Sequence, residues 1–250
     1  LTIGHLPDPI LRPADVLLAV SATALNRLDI VQRNGWFTLP GFSLPHVAGM
    51  DLAGTVVEVG PGVSHVKTGD RVVADPSLHA VGGDSQFTGF GERYGDLGVI
   101  GATHAGGYGE LCAVSADHVH PIPDAMDFAT AAVFPTAWMT THHALFRVGE
   151  LRSGETLLVH GATSALPLAA TQMAVAAGAR VLVTAASEEK CAIAQGLGAA
   201  ATTTNREFDV TSWAMQQTDG KGVDMVLDHV GPALWEASLL ALAPRGRLVT

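Results

Sequence analysis

Apolar residues fall along this chain in two different rhythms. Up to about residue 125 they come as short runs cut by Gly and Pro: DVLLAVSATAL, AGTVVEVGPGV, DRVVAD and GELCAVSADHVHPIP. Val-rich runs with turn residues between them predict a β-barrel-like or mixed β domain, since branched side chains suit a pleated, half-buried surface. Within that half, 75–107 is rich in Gly, Asp and Ser and reads as a long exposed lobe. From 156 onward strand-like and helix-like segments alternate: TLLVHG at 156–161, a helix to Ala177, RVLVTA at 180–185, a helix SEEKCAIAQGLG, a strand AATTT, a helix around 209–218, VDMVLDHV at 223–230, a helix ALWEASLLALA and a strand RLVT. This alternation predicts right-handed βαβ units on a parallel sheet. The segment 128–148, FATAAVFPTAWMTTHHALFRV, reads as a helical bridge. The expected domains are therefore 1–127 and 128–250.

Composition narrows the partners. The chain has 250 residues, enough for two domains, with 48% hydrophobic and 15% charged residues. A net charge of −10 argues against nucleic acid, which needs clustered Lys and Arg, and leaves room only for a local basic pocket around a single phosphate. Two distant cysteines, Cys112 and Cys191, fit a reducing compartment and suggest no disulfide framework. No apolar run reaches the roughly 18 residues of a membrane span, and LTIGHLPDPILRPADV lacks the order of a signal peptide. The expectation is a cytoplasmic protein acting on a small molecule, with no nucleic acid or membrane partner.

The chemistry concentrates at 156–177, TLLVHGATSALPLAATQMAVAA. A dinucleotide-binding turn works because a strand ends, the backbone folds tightly, and free N–H groups of the next helix meet a pyrophosphate with help from the helix dipole. Here the turn reads Gly161-Ala162-Thr163-Ser164-Ala165-Leu166-Pro167, without G-x-G-x-x-G. Ser164 is placed as an N-cap, Pro167 falls in the first helical turn where its missing N–H is tolerated, and the N–H groups of Ala165 and Leu166 stay available. Two readings stand on these residues: a pyrophosphate cradle that has lost glycines, or a structural βα turn that binds nothing.

The whole chain resembles the medium-chain dehydrogenase/reductase superfamily, in its zinc-free, quinone-oxidoreductase-like (zeta-crystallin-like) branch. The stretches that carry the resemblance are ALNRLD at 24–29, GMDLAGTVVEVGPGV at 49–63, TGDRV at 68–72, GGYGEL at 106–111, FPTAWMTTHHALF at 134–146, GETLLVHGA at 154–162, SEEKCAIAQGLGA at 187–199 and GVDMVLDHVG at 222–231. The resemblance implies an α/β protein with a GroES-like β-rich catalytic domain followed by a Rossmann doubly wound parallel-sheet domain, with substrate and nicotinamide in a cleft between them. It also implies that the C-terminal part, including a sixth strand that often forms a dimer interface, is missing from this chain, so a homodimer is expected when full length and an uncovered sheet edge at Leu248–Thr250.

Zinc-dependent relatives place ligands at positions that here carry Asn26, Met50 and Thr136, none a good zinc ligand, and the lobe holding a second zinc elsewhere contains no cysteine. His46, His79 and His104 are scattered single histidines. No metal is expected. At the end of RVLVTA small residues stand where an acid would favour NAD, and Ser187 and Lys190 are positioned for a 2′-phosphate. By resemblance Asn205 makes a further such contact, which favours NADP(H); the competing reading pairs Lys190 with Glu at helical spacing. The resemblance also implies that Thr140 lies against the nicotinamide, that Asn26 lines the cleft and donates to a substrate carbonyl, that Arg27 reaches the pyrophosphate, and that the loop near Val230 contacts the cofactor through its backbone. Asn26 reads equally well as a turn residue that bonds its own backbone. His142, His143 and Trp138 read as core or inter-domain packing. The expected function is zinc-independent hydride transfer from NADP(H) to a quinone or an activated alkene or carbonyl. Its alternatives are a non-catalytic member with weakened cofactor binding and an enoyl-reductase component of a lipid or polyketide pathway.

Overall fold

A computed structural model describes residues 2–39, 42–78, 98–204 and 209–250, in two compact units, Leu1–Thr136 and Ala137–Thr250.

In the first unit the Val-rich runs form β1 (Asp15–Ala24), β2 (Asp51–Val59), β3 (Arg71–Ala74), the short pair β4 (Ser77–Leu78) and β5 (Gly98–Val99), β6 (Leu111–Ser115) and β7 (Val119–Pro121). Five of them make an antiparallel sheet in the order β6-β1-β2-β3-β7. The period of two in β1 turns Val16 and Leu18 fully inward, where they pack with Leu52, Val56, Val72, Cys112 and Val114. Helix α1 (Arg27–Arg33) follows β1 directly.

The expected bridge divides into α2 (Phe128–Ala132) and α3 (Pro135–His142), the second continued by a π-helical turn over His143–Val148. Pro135 begins α3, as a proline that cannot sit inside a helix does. Ala131 and Ala132 of α2 bury against Ala53 and Ile122, with Met126 and Phe128 packed beside them, so this helix belongs with the β domain. The division between units accordingly falls after Thr136, beyond the expected 127.

The second unit is a parallel sheet of β8 (Thr156–His160), β9 (Arg180–Ala185), β10 (Ala201–Thr204), β11 (Val223–Leu227) and β12 (Leu242–Val249), in the order β10-β9-β8-β11-β12. Helices α4 (Ala165–Ala176), α5 (Glu188–Gly196), α6 (Val210–Gln217) and α7 (Trp235–Leu240) alternate with them. Both sheet faces are covered. Leu157, Val159, Val181, Val183, Met225 and Leu227 enter one core, and Leu158, Leu182 and Val226 enter the other with Val210 and Trp213 of α6. Truncating a fully buried leucine such as Leu158 would cost roughly 2–5 kcal/mol. The helix expected over ALWEASLLALA is shorter, because β12 already begins at Leu242 and pairs with Val223. Counted from β8, the strand order is that of a doubly wound sheet, and it reverses between β8 and β11, where such sheets open a crevice at the carboxyl ends of their strands. β12 has one strand neighbour, β11, which leaves its other side as the sheet edge expected there.

Candidate functional site

The turn after β8 lies on the side of that crevice. Gly161 takes a φ of +81°, a left-handed conformation that favours glycine, and turns the chain from His160 toward α4. A side chain built there would stand 3.6 Å from both His229 and Pro167, so the turn after β8 and the loop after β11 are neighbours. Ser164 occupies the N-cap position, as its place in the sequence suggests, but its side chain makes no capping bond. The first helical carbonyl used is that of Ser164, which accepts from Leu168 N at 3.1 Å. Since Pro167 has no N–H, the N–H groups left without an intrahelical partner are those of Ala165 and Leu166. Ala162 is buried while Ser164 and Ala165 are exposed, so this end of α4 is open. The residues present fit a pyrophosphate with two donors.

Thr140 stands exposed on α3, and its neighbour Thr141 is fully buried, donating to Ala137 O at 2.7 Å and to Leu166 O at 3.4 Å. This second bond ties the helix of Thr140 to the first turn of α4. Ser187 caps α5 by accepting from Lys190 N at 3.5 Å, and Lys190 is exposed. Among the described residues Lys190 takes part in no ion pair, so the glutamate pairing is not made. Asn205 and His79 lie outside the described residues.

Beneath the crevice runs a buried polar chain. Asp228, at the end of β11, accepts from Val230 N at 2.8 Å, Gly231 N at 2.9 Å and Ser238 Oγ of α7 at 3.0 Å. Ser238 Oγ lies 2.9 Å from His160 Nε2, and His160 Nδ1 lies 3.1 Å from Thr184 Oγ1. All four side chains are wholly buried. Burial pushes the His160 imidazole down to about 4, so it is neutral. Burial alone would raise Asp228, but the N–H groups of Gly231 and Val230, the Ser238 hydroxyl and the nearby His160 more than offset it and hold the carboxyl below its usual value. Because the N–H of Val230 is spent on Asp228, its carbonyl is the backbone group it retains for a ligand.

The first unit has a polar cluster of its own. Asn26 is the N-cap of α1, and its backbone N–H donates to Asp29 at 2.8 Å. Its amide Nδ2 donates to Asp51 Oδ2 at 3.0 Å. The other oxygen of Asp51 accepts from Thr136 N at 3.0 Å and Thr136 Oγ1 at 2.7 Å. Asp51 is 2% exposed; burial pushes its carboxyl up, the Asn26 and Thr136 bonds pull it partly back, and the Asp29 charge adds to the rise. Tyr108 donates to Asp29 at 2.9 Å, and burial and then that carboxylate raise its hydroxyl above the ordinary value. Asn26 and Thr136 are thus joined through Asp51, while Met50 is buried beside it in sequence. No group of three His, Cys, Asp or Glu among the described residues could hold a metal ion. Arg27 opens α1 and is exposed.

Asp51, His160, Thr184 and Ser238 were not singled out from the sequence. A histidine inside the apolar run TLLVHG was the available signal for one of them. His142 and His143 are exposed, and His142 lies 5.3 Å from the ring of Phe146.

Two domain families match this chain, the alcohol dehydrogenase GroES-like domain over residues 12–124 and the zinc-binding dehydrogenase domain over residues 165–250. The chain belongs to the medium-chain dehydrogenase/reductase superfamily. It is 34% identical to a quinone oxidoreductase of Pseudomonas aeruginosa over 95% of this chain and 65% of that protein. Among solved structures it is similar to an NAD-dependent alcohol dehydrogenase, at a TM-score of 0.89 and 34% identity over 98% of this chain and 71% of that one. It is also similar to an Escherichia coli quinone oxidoreductase complexed with NADPH, at a TM-score of 0.79 and 29% identity over 99% and 67%. The chain spans 62–65% of the length of the curated quinone oxidoreductases of Pseudomonas aeruginosa, Salmonella typhimurium and Rattus norvegicus that it matches.

Proposed function

We propose that this chain is the core of a zinc-independent, NADP(H)-dependent oxidoreductase that reduces a quinone or an activated alkene or carbonyl. The observation that carries the reading is the open end of α4, where the Ala165 and Leu166 N–H groups face the crevice side of a doubly wound sheet. When bound, the nicotinamide would supply the hydride. The chain's own part is orientation and polarisation. Ala162, Thr163, Ser164, Ala165 and Leu166 would hold the pyrophosphate, Thr140 and the Val230 carbonyl would border the nicotinamide, and Ser187 and Lys190 would meet a 2′-phosphate. Asn26, with one amide hydrogen held by Asp51, keeps a second donor for a substrate oxygen.

Zinc independence is supported by the donor set. The three ligand positions carry an amide, a thioether and a hydroxyl, and the amide and hydroxyl are already bonded to Asp51. The preference for NADP(H) is supported by the small residues Ala185 and Ala186 at the end of β9, where an acid would favour NAD; one similar structure is NAD-dependent and another is complexed with NADPH.

Titration with NADPH and NADH, alongside elemental analysis, tests these claims. Saturable binding with NADPH tighter, and no stoichiometric zinc after dialysis, is the expected result, followed by reduction of 1,4-benzoquinone. No saturable binding of either cofactor up to millimolar concentrations would overturn the oxidoreductase reading.

A further inference from the structure

The polar chain under the crevice has a determined direction of proton donation. Ser238 Oγ has three neighbours: Asp228 Oδ2 at 3.0 Å, Leu234 O at 2.8 Å and His160 Nε2 at 2.9 Å. The first two accept only, and a hydroxyl has one proton, so whichever of them receives it, Ser238 must accept from His160. Nε2 therefore carries the imidazole proton. The buried ring is neutral, so Nδ1 is a bare acceptor and takes the Thr184 hydroxyl at 3.1 Å. The sequence of donations runs from Thr184 at the end of β9, through His160 at the end of β8, to Ser238 of α7, whose hydroxyl is shared between Asp228 at the end of β11 and Leu234 O.

The far end of this sequence shapes a loop. Asp228 turns the chain by accepting both the Val230 and Gly231 N–H groups, and the adjoining His229 stands against Gly161 of the turn before α4. We infer that His160 and Ser238 are positioning residues: through Asp228 they set the shape of the loop 228–231 and with it the geometry of the neighbouring cofactor turn. This inference rests on the cofactor reading for its consequence, though the coupling of Ser238 to the loop stands on the geometry alone. Both side chains are wholly buried, so each acts through Asp228.

The test uses the 250-residue chain and three readouts: NADPH titration, amide hydrogen exchange by NMR at Val230 and Gly231 with Leu158 as a buried reference, and the ¹⁵N shifts of the His160 ring. Wild-type His160 is expected as the Nε2–H tautomer. In Ser238→Ala the Nε2 proton loses its acceptor, so the ring should convert to Nδ1–H donating to Thr184. The Val230 and Gly231 amides should then exchange about tenfold faster than in wild type while Leu158 does not, and NADPH should bind about tenfold more weakly, the size of one bond to a charged group. Thr184→Val, nearly isosteric, removes the other end of the chain and should shift the same readouts by a smaller factor, which keeps the test usable if Ser238→Ala folds poorly.

A merely structural role would lower thermal stability and leave the tautomer, the exchange ratio and the affinity unchanged, and that result would overturn the inference. An Nδ1–H tautomer in wild type would overturn it as well. If wild type binds NADPH and both variants bind it equally well, the link from the loop to the cofactor is wrong while the oxidoreductase reading survives. If wild type shows no saturable binding, that reading fails, and the exchange and tautomer measurements alone decide the coupling.

Discussion

Two aspartates, one in each unit, are buried to nearly the same degree and accept the same kinds of bond, yet their carboxyls move in opposite directions. Asp51 receives an amide N–H from Asn26 and the backbone and hydroxyl of Thr136, and it is raised. Asp228 receives the backbone N–H groups of Val230 and Gly231 and the Ser238 hydroxyl, and it is lowered. The difference lies in the balance of burial against the donors. Burial is the largest influence on both carboxyls: at Asp51 it outweighs the bonds from Asn26 and Thr136, with the Asp29 charge the smallest addition, whereas at Asp228 the two N–H groups converging on one oxygen and the Ser238 hydroxyl outweigh it. Counting hydrogen bonds does not rank buried carboxylates; what those bonds return against desolvation decides whether ionisation is a cost or a contribution.

The largest effect is expected at Asp228. Asp228→Ala removes the acceptor of two part-buried backbone N–H groups, while Ser238 can still turn to Leu234 O. Bonds to an ionised group count for more than neutral ones, so the loss should be roughly 3–4 kcal/mol by urea denaturation, accompanied by loss of NADPH binding. A cost under about 1 kcal/mol would show that the Asp228 network is not what holds this unit's loop.

Acidification should separate the two units next. His160 is held at about 4 against an ordinary value of 6.5, so between those limits the unfolded chain binds a proton that the folded chain refuses. Its contribution is complete above 6.5, falls as the pH drops toward 4, and is level below that. The full fall is of the order of 3 kcal/mol. Asp51 works the other way: its folded carboxyl takes up a proton more readily than the unfolded one, so acid relieves it. Thermal midpoints measured from pH 7 to 4 should show a slope that His160→Gln flattens. If the variant and the wild type keep parallel slopes, the imidazole is not the buried neutral group described.

The sequence made the frame legible because frame and sequence share a period. Runs rich in Val and Leu announced β1, β8, β9 and β11, and the change of rhythm between about residues 125 and 156 separated an antiparallel sheet from a parallel one. Asn26, Met50 and Thr136 could be read as lacking metal-ligand chemistry because residue type alone decides that. The bonds that replace it could not be read. Asn26 and Thr136 lie 25 and 85 positions from the carboxylate they share, Asp51, and only the packing of α1, β2 and the start of α3 brings them together. His160 was hidden for the same reason: a single histidine in an apolar strand looks like a core residue, and its partners come from β9 and α7, 24 and 78 positions away. The division falls after Thr136 rather than at the expected 127 because helical propensity marks α2 as helix but does not say which sheet it covers.

The smallest effect, and the sharpest test of the comparison, is Asp51→Asn beside Asp228→Asn. The replacements are nearly isosteric and each removes one negative charge. At position 228 the change weakens three bonds to an ionised acceptor, and should cost roughly 2 kcal/mol at pH 7. At position 51 the folded protein already disfavours the charge, so losing it returns part of what is lost when the bonds from Asn26 and Thr136 weaken. The net change should stay within about 1 kcal/mol in urea denaturation. Function should still respond, because the new amide presents a donor as well as an acceptor to Asn26, whose own amide is then free to turn over. A fall in kcat for 1,4-benzoquinone with NADPH affinity unchanged would match an Asn26 that has lost its orientation. Equal destabilisation by the two substitutions would mean that burial and donors balance alike at the two aspartates, and the contrast between the units would then be without energetic consequence.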